Sequence, residues 1–310
     1  MELSAAEEYA IRIIAAESTL QHAARDEAPA ARLSSSPAST PDGKAGSPAP
    51  AAGGTDASRP TLAPGGTATP ETNHPAPIPL PVALPVPPIP DGLWPAARAE
   101  LEAQSVIGYP ANAIESLGLS PADQAEYLAR AGKNLSIWYR LMMAQDSVLA
   151  EFRQAGIPVA VLKGAAAAAN YPQPNSRSMG DIDLIVPPDY FDRAFSLMER
   201  LGWDNDIELE INPRHAGFEK AGCPEIELHR YFSTCANKQQ AHFLDQAIYD
   251  AIPRAEWTDV AGFSAPVLPP LENGLVLLAH VNQHLGSGLG LRQILDWQMF
   301  VDAHLTDELW

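Results

Sequence analysis

Apolar residues along this chain follow a helical period at both ends and a period of two in between. A long stretch with neither period separates the first helix from the rest. Residues 4–25 are rich in Ala, Glu, Ile and Leu and predict a helix, opened by Ser4 and Glu7 at capping-box spacing. Residues 28–92 are mostly Ala, Pro, Ser, Gly and Thr, with few charges and almost no aromatics. Such a segment cannot bury enough apolar surface to offset its ordering entropy, and disorder is expected. Its second half, Pro75–Pro90, favours extended polyproline II, a semi-stiff spacer that also offers a proline-rich docking motif, Pro85-Val-Pro-Pro88, to a protein partner. Helical spacing returns over 94–155. Ser120 is placed to cap a helix that starts at Pro121, Ile137, Leu141, Met142, Val148, Leu149 and Phe152 recur along it, and Ala155-Gly-Ile-Pro158 ends it.

The period then shortens to two. Val159-Ala-Val-Leu-Lys-Gly164 reads as an apolar strand ending in glycine, followed by a short helix over 165–170. Arg177-Ser-Met-Gly-Asp-Ile-Asp-Leu-Ile-Val186 reads as a second strand. Side chains alternate across a strand, so Asp181 and Asp183 share one face while Ile182, Leu184 and Val186 point into a core. Two carboxylates side by side at the start of a buried strand repel each other and lose solvation, unless a cation sits between them. Mg²⁺, an oxygen-liganded ion commonly shared between carboxylates and phosphates, is the natural candidate. Next comes a helix over Tyr190–Leu201, with Asp189 as its cap, Gly202 as its stop, and Phe191, Ala194, Phe195, Met198 and Leu201 as its buried face. Strand-like pieces follow at Ile207–Ile211, His215–Lys220 and Glu225–Phe232, then two apolar helices near 272–285 and 291–303. The pattern divides the chain into an N-terminal helix (1–27), a linker or insertion (28–92), a helical segment (93–155), a strand-containing core (156–235) and a C-terminal helical segment (236–310). The sequence stops at Leu309-Trp310 with no obvious helix cap or polar tail. The first helix either packs on the core or hangs on the 28–92 tether as a separate docking element.

Composition narrows the classes. Of 310 residues 46% are hydrophobic, enough for a substantial core, but sixteen of the 30 prolines fall between Pro29 and Pro90. The net charge of −18 argues against a broad nucleic-acid footprint, which needs Lys and Arg to displace phosphate counterions. Cys223 and Cys235 form neither a disulfide framework nor a CxxC metal motif and read as reduced thiols of a cytoplasmic protein. The acidic N-terminus lacks the features of a signal peptide, and no apolar run is long enough to span a membrane.

Leu162-Lys-Gly164, Tyr171-Pro172, Arg177 and Gly180-Asp-Ile-Asp-Leu184 together resemble the signature of the uncharacterised bacterial nucleotidyltransferase family, part of the DNA polymerase beta-like superfamily. The resemblance is strongest over 156–202 and continues weakly through Glu225-Ile-Glu-Leu-His229 and Leu291-Arg-Gln-Ile-Leu-Asp-Trp297. It implies an α+β fold, with a small mixed sheet and helices as the nucleotidyltransferase core (156–235), flanked by helical segments. It also implies transfer of NMP from an NTP to an acceptor, with release of pyrophosphate and with Mg²⁺ or Mn²⁺ as cofactor. Two metal ions of this kind call for two or three carboxylates converging from adjacent strands. Asp181 and Asp183 supply two. The third is expected on a nearby antiparallel strand, where Glu225 and Glu227 are the candidates. The family's acidic residue stands immediately before Leu-His, which selects Glu227, a Glu where relatives more often have Asp. Gly164 would let the backbone approach the triphosphate, helped by amides at the start of the following helix. The chain has Gly-Ala where the superfamily often has Gly-Ser, so no hydroxyl contact is expected there. Lys163 and Arg177 are the cations placed to meet phosphate, Arg177 alternatively forming a salt bridge to the carboxylates. His229 shares the face of Glu227 and is placed to orient a carboxylate or approach the acceptor. His280 and His284 have the i, i+4 spacing of a metal-binding pair but lack a third ligand. Arg292 and Asp296 have the spacing of an intrahelical ion pair. No role is assigned to His215. The acidic composition favours a small molecule or a protein side chain as acceptor. The alternatives are a toxin-like nucleotidyltransferase acting on RNA, and a non-catalytic scaffold that binds a partner through the proline-rich arm.

Overall fold

A computed structural model of the chain describes residues 3–27, 89–90, 92–205, 214–285 and 288–305. Helix α1 (Ala5–Glu27) opens with the expected capping box: the Ser4 N–H donates to Glu7 Oε2 at 2.7 Å and the Glu7 N–H to Ser4 Oγ at 3.2 Å. Tyr9, Ala10, Ile13 and Ile14 pack into a cluster with Trp94, Ala97 and Leu101 of α2 (Trp94–Ala103) and Ala113 and Ile114 of α3 (Ala111–Ser116). The buried carboxylate of Glu17 accepts from Asn112 Nδ2 at 2.8 Å and from the Ala113 N–H at 2.7 Å. The first helix is therefore part of the packed body and not a free docking element. The segment expected to be disordered, 28–92, lies outside the described residues apart from Ile89, Pro90 and Gly92. The expected strand at Ile207–Ile211 and the end at Leu309-Trp310 also lie outside them.

Helix α4 (Pro121–Gln154) begins as predicted, with Ser120 Oγ accepting from the Asp123 N–H at 3.2 Å, and ends at Gly156, whose φ of +63° a side chain would resist. It delivers the chain to a five-stranded mixed sheet of order β1-β2-β5-β4-β3. The strands are β1 (Ala160–Leu162), β2 (Ile182–Ile185), β3 (Asp204–Asn205), β4 (His215–Glu219) and β5 (Ile226–His229). Strand β1 is linked to β2 through the five-residue α5 (Gly164–Ala168). Pairing is antiparallel for β1 with β2, β3 with β4 and β4 with β5, but β2 and β5 run parallel. The strand carrying Glu227 is thus parallel to that carrying Asp183, against expectation. Helix α6 (Pro188–Arg200) carries the chain away after β2, and the β4–β5 reversal restores the original direction. Helix α6 starts at Pro188, with Asp189 in its first turn instead of at its cap.

Both faces of the sheet are covered. Ile182, Leu184, Phe218 and Leu228 pack with Leu141, Met142 and Phe152 of α4 and Phe191 and Met198 of α6. Leu162 and Ile185 pack with Ile248 and Ala251 of α7 (Lys238–Ala251) and Val276 of α8 (Pro270–His284). A β-ribbon absent from the sequence reading, β6 (Glu256–Val260) and β7 (Phe263–Val267), adds Val260 and Ala265 to the first face. It turns on Ala261 and Gly262, both at positive φ, in the two-residue turn whose twist matches that of paired strands. Among the described residues no helix is long and apolar enough to cross a membrane.

Helix α9 (Leu291–His304) is tied to the core by a buried network. Arg177 donates from Nε to Asp296 Oδ1 and from Nη2 to Asp296 Oδ2, both at 2.7 Å, and the Tyr171 hydroxyl donates to Oδ1 at 2.8 Å. Both oxygens of Asp296 thus face residues near β2, and this network takes the place of the expected i, i+4 pair with Arg292. Helices α8 and α9 meet closely at Gly274, where a Cβ would stand 2.7 Å from Phe300 Cζ. Removing one partner from a buried pair leaves the other as an uncompensated charge, at a cost of about 3–5 kcal/mol. Asp296→Ala should lower the unfolding free energy by that amount in urea titrations. Replacing both partners with apolar residues, Arg177→Met with Asp296→Leu, should recover most of it.

Candidate active site

The turn from β1 into α5 puts Lys163 at φ 54°, ψ −135°, a left-handed conformation that a side chain resists, with Gly164 following at φ +37°. Holding a non-glycine residue there costs on the order of 1–3 kcal/mol. The ammonium of Lys163 meets Asp183 Oδ1 at 2.8 Å. Asp183 lies within β2, 1% exposed, directly across from Glu227 on parallel β5. Asp181 stands just before β2, on the same side. The sheet register therefore brings Asp181, Asp183 and Glu227 together, each offering an oxygen within 4.8 Å of the others.

His229, also 1% exposed, lies between two of these carboxylates. Its Nε2 is 3.0 Å from Asp183 Oδ1 and 3.2 Å from Glu227 Oε2. His215, opposite His229 on β4, brings its Nε2 to 3.7 Å from Glu227 Oε1. Proton affinities follow from these contacts. Burial pushes Asp183 up, but the His229 hydrogen bond and the Lys163 charge outweigh it and hold the carboxyl well below its ordinary range. The His229 bond likewise lowers Glu227 against burial. Burial favours neutral His229, yet its bonds to Asp183 and Glu227 outweigh burial and raise its pKa above the ordinary value. Asp181 has no such partner; burial and then the Asp183 charge raise it.

These groups open on a cavity of about 290 Å³. Lys163 and Gly164 line it together with the three carboxylates. Arg214, Arg292 of α9, and His280 and His284 of α8 line it as well. Arg292 Nε is buried with no hydrogen-bond partner among the described residues. His280 and His284 face each other with their Nε2 atoms 3.1 Å apart. Burial, then Lys163, pushes His280 down to about 4, which leaves it neutral at ordinary pH.

Of the residues singled out in the sequence, Asp181, Asp183, Glu227, Lys163, Gly164 and His229 converge here. Arg177 reaches the cavity wall, but its guanidinium is bound to Asp296 and to the Ser178 carbonyl oxygen, whereas Arg292 keeps an Nε with no partner among the described residues. Glu225, one residue before β5, is exposed and lines a separate depression with Asp204, Glu219 and Lys220. His215 and Arg214 were not foreseen. Their signal was the β4–β5 register, which places His215 opposite His229. Three carboxylates that offer only oxygen suit Mg²⁺ or Mn²⁺, so the donor set of Asp181, Asp183 and Glu227 fits such an ion.

No curated protein matches the sequence. Solved structures that are remotely similar include the following three. A solution structure of the antibiotic-resistance factor ANT(2'')-Ia is 14% identical, with a TM-score of 0.37, over 57% of this chain and 87% of its own. A crystal structure of ANT(2'')-Ia in complex with adenylyl-2''-tobramycin is 15% identical, with a TM-score of 0.39, over 54% and 90%. An antigenic nucleotidyltransferase-like protein from Paracoccidioides brasiliensis is 16% identical, with a TM-score of 0.36, over 53% and 76%. The family assignment does not depend on these likenesses. Residues 91–310, most of the chain and all of the cavity, match the family described as uncharacterised nucleotidyltransferase, and the protein belongs to that family.

Proposed function

We propose that the protein transfers NMP from an NTP to a small-molecule, protein or peptide acceptor in a metal-dependent reaction. The observation that carries this reading is the convergence of Asp181, Asp183 and Glu227 at a cavity whose other walls supply Lys163 and Arg292. In the reaction an acceptor oxygen or nitrogen forms a bond to the α-phosphorus, the bond from that phosphorus to the β-phosphate oxygen breaks, and pyrophosphate leaves with the electron pair. The acceptor's proton passes to a base.

Asp181, Asp183 and Glu227 would hold Mg²⁺ or Mn²⁺, which supplies charge neutralisation at the phosphoryl oxygens. Lys163 and Arg292 would bind the triphosphate, Arg292 through a planar fork suited to phosphate. Gly164 would allow the backbone close to the phosphates. Glu227, more exposed than Asp183 at 23% against 1% of its side chain, would receive the acceptor's proton. His229 holds Asp183 and Glu227 in position. The acceptor reading rests on the net charge of −18, which disfavours a polynucleotide partner.

Three outcomes test this. Calorimetric titration with ATP, GTP, CTP and UTP should show Mg²⁺-dependent binding of at least one, lost in Asp183→Asn. Equal, metal-independent affinities of the two proteins would sink the assignment. In a pyrophosphate-release assay Glu227→Gln should lose roughly 10²–10³-fold in turnover, the scale of removing one electrostatic contact from a transition state, while Glu225→Gln stays near wild type. The reverse pattern would move the third carboxylate to Glu225. The third outcome concerns pH. Asp181 is raised above the ordinary carboxylate value, by burial and then by Asp183, and it must be ionised to hold a cation. Metal affinity should therefore be complete above that raised value and weaken as pH falls through it. Asp181→Asn, already weakened at neutral pH, should show a flatter acid limb in the same titration.

A further inference from the structure

The cavity that holds the carboxylates has a neighbour. A second cavity, of about 270 Å³, is lined by residues of α4, of α9 and of the segment leading into β2. The two cavities share Met179, Gly180 and Arg292. Gly180 stands immediately before Asp181, and a Cβ placed on it would meet nothing within 4 Å, so no side chain closes the rim there.

Two features of the second cavity call for a ligand. The first is charge. Arg130, Lys133 and Arg292 line it together with the carboxylate of Glu102, in a chain that has 38 acidic residues and 20 basic ones. Glu102 is already engaged by Arg98, and Arg130 stands 3.7 Å from it. Positive charge is therefore in excess here, against the sign of the molecule as a whole. The second feature is hydrogen bonding. Ser178 is 7% exposed, and its Oγ has no hydrogen-bond partner among the described residues. Asn134 Nδ2 and Arg292 Nε are buried and equally without one. Buried polar atoms are nearly always paired, and an exception asks for a missing partner. The Asn134 amide rests against Gly108, where a Cβ would stand 2.6 Å from Nδ2, so a side chain at 108 would displace it. An amide, a hydroxyl and a guanidinium all donate, and donors set in excess positive charge match an oxygen-rich anion.

We propose that this second cavity binds the acceptor, and that the acceptor is a small molecule carrying a phosphate or carboxylate group. The anion lies against Arg130 and Lys133, with Ser178 and Asn134 donating to its oxygens. The rest of the molecule extends past Gly180 toward Asp181. The acceptor's role rests on the nucleotidyl-transfer reading, and its range narrows from small molecule, protein or peptide to an anionic small molecule. Water alone would satisfy Ser178 and Asn134 without any anion. The terminal phosphates of the nucleotide are a second source of the same chemistry. Titrations separate the three.

The full chain, kept free of divalent metal by chelator and free of nucleotide, is titrated with glycerol 3-phosphate, glycerate and glycerol and followed by ligand-observed NMR. At least one of the two anions should bind with roughly millimolar affinity, and glycerol, which lacks the charge, should not. Lys133→Glu, at an exposed position, should weaken anion binding roughly tenfold or more. Ser178→Ala should weaken it as well, which a hydroxyl satisfied by water would not do. Loss in both variants supports the site. Unchanged affinity in both overturns it, as does the absence of saturable binding by either anion. A second series adds Mg²⁺ and saturating NTP. The anion should stay bound, and Lys133→Glu should leave nucleotide affinity within about twofold, as for separate sites. Displacement of the anion by nucleotide, with Lys133→Glu weakening the nucleotide instead, assigns the cavity to the terminal phosphates and overturns the proposal. The first series contains neither metal nor nucleotide, so failure of anion binding there leaves the nucleotide-binding test of the proposed function intact. Failure of nucleotide binding is read in its own titration, whatever the anion does.

Discussion

Placing an ionised carboxylate in the middle of a buried strand is the constraint around which this molecule is arranged. Asp183 is almost fully removed from water, and a lone charge in that position would instead take up a proton. Lys163 and His229 prevent this. Each demands something of the fold in turn: Lys163 an unfavourable backbone conformation at the end of β1, and His229 a full strand alignment between β2 and β5. The apolar residues around Asp183 hold the sheet in place so that this charge can be kept.

Much of this was legible in the chain. The run from Asp181 to Val186, in which Asp181 and Asp183 alternate with Ile182, Leu184 and Val186, marked both the strand and its candidate chemistry, because charge within an apolar strand is rare unless it is used. The caps at Ser4 and Ser120 were readable for a similar reason: each depends on residues three apart. What could not be read were relations across long separations. The partner of Asp296 is Arg177, 119 residues away, and not its own helical neighbour Arg292. The direction of β5 depends on how many times the chain reverses between Asp183 and Glu227, including a stretch whose alternation is weak. His215 belongs to the site only through its alignment with His229. Spacing along a helix or strand is local information, while register between elements is not.

The Arg177–Asp296 network also explains how a helix near the end of the sequence comes to wall the cavity. With both oxygens of Asp296 turned toward the core, α9 is fixed in rotation, and Arg292, one turn earlier, is left projecting at the site, its Nε without a partner among the described residues. Asp296, which does not line the cavity, thereby sets where the Arg292 guanidinium stands. Chain segments on either side of the sheet are coupled through it.

The backbone at Lys163 has a consequence for how this protein could be improved or could drift. Glycine would occupy that φ and ψ without penalty, a relief of about 1–3 kcal/mol. The same exchange would leave Asp183 without its nearest cation, and a buried charge that loses a partner costs about 3–5 kcal/mol. Selection for thermal endurance alone would therefore keep the lysine, and glycine becomes favourable there only once position 183 has lost its charge.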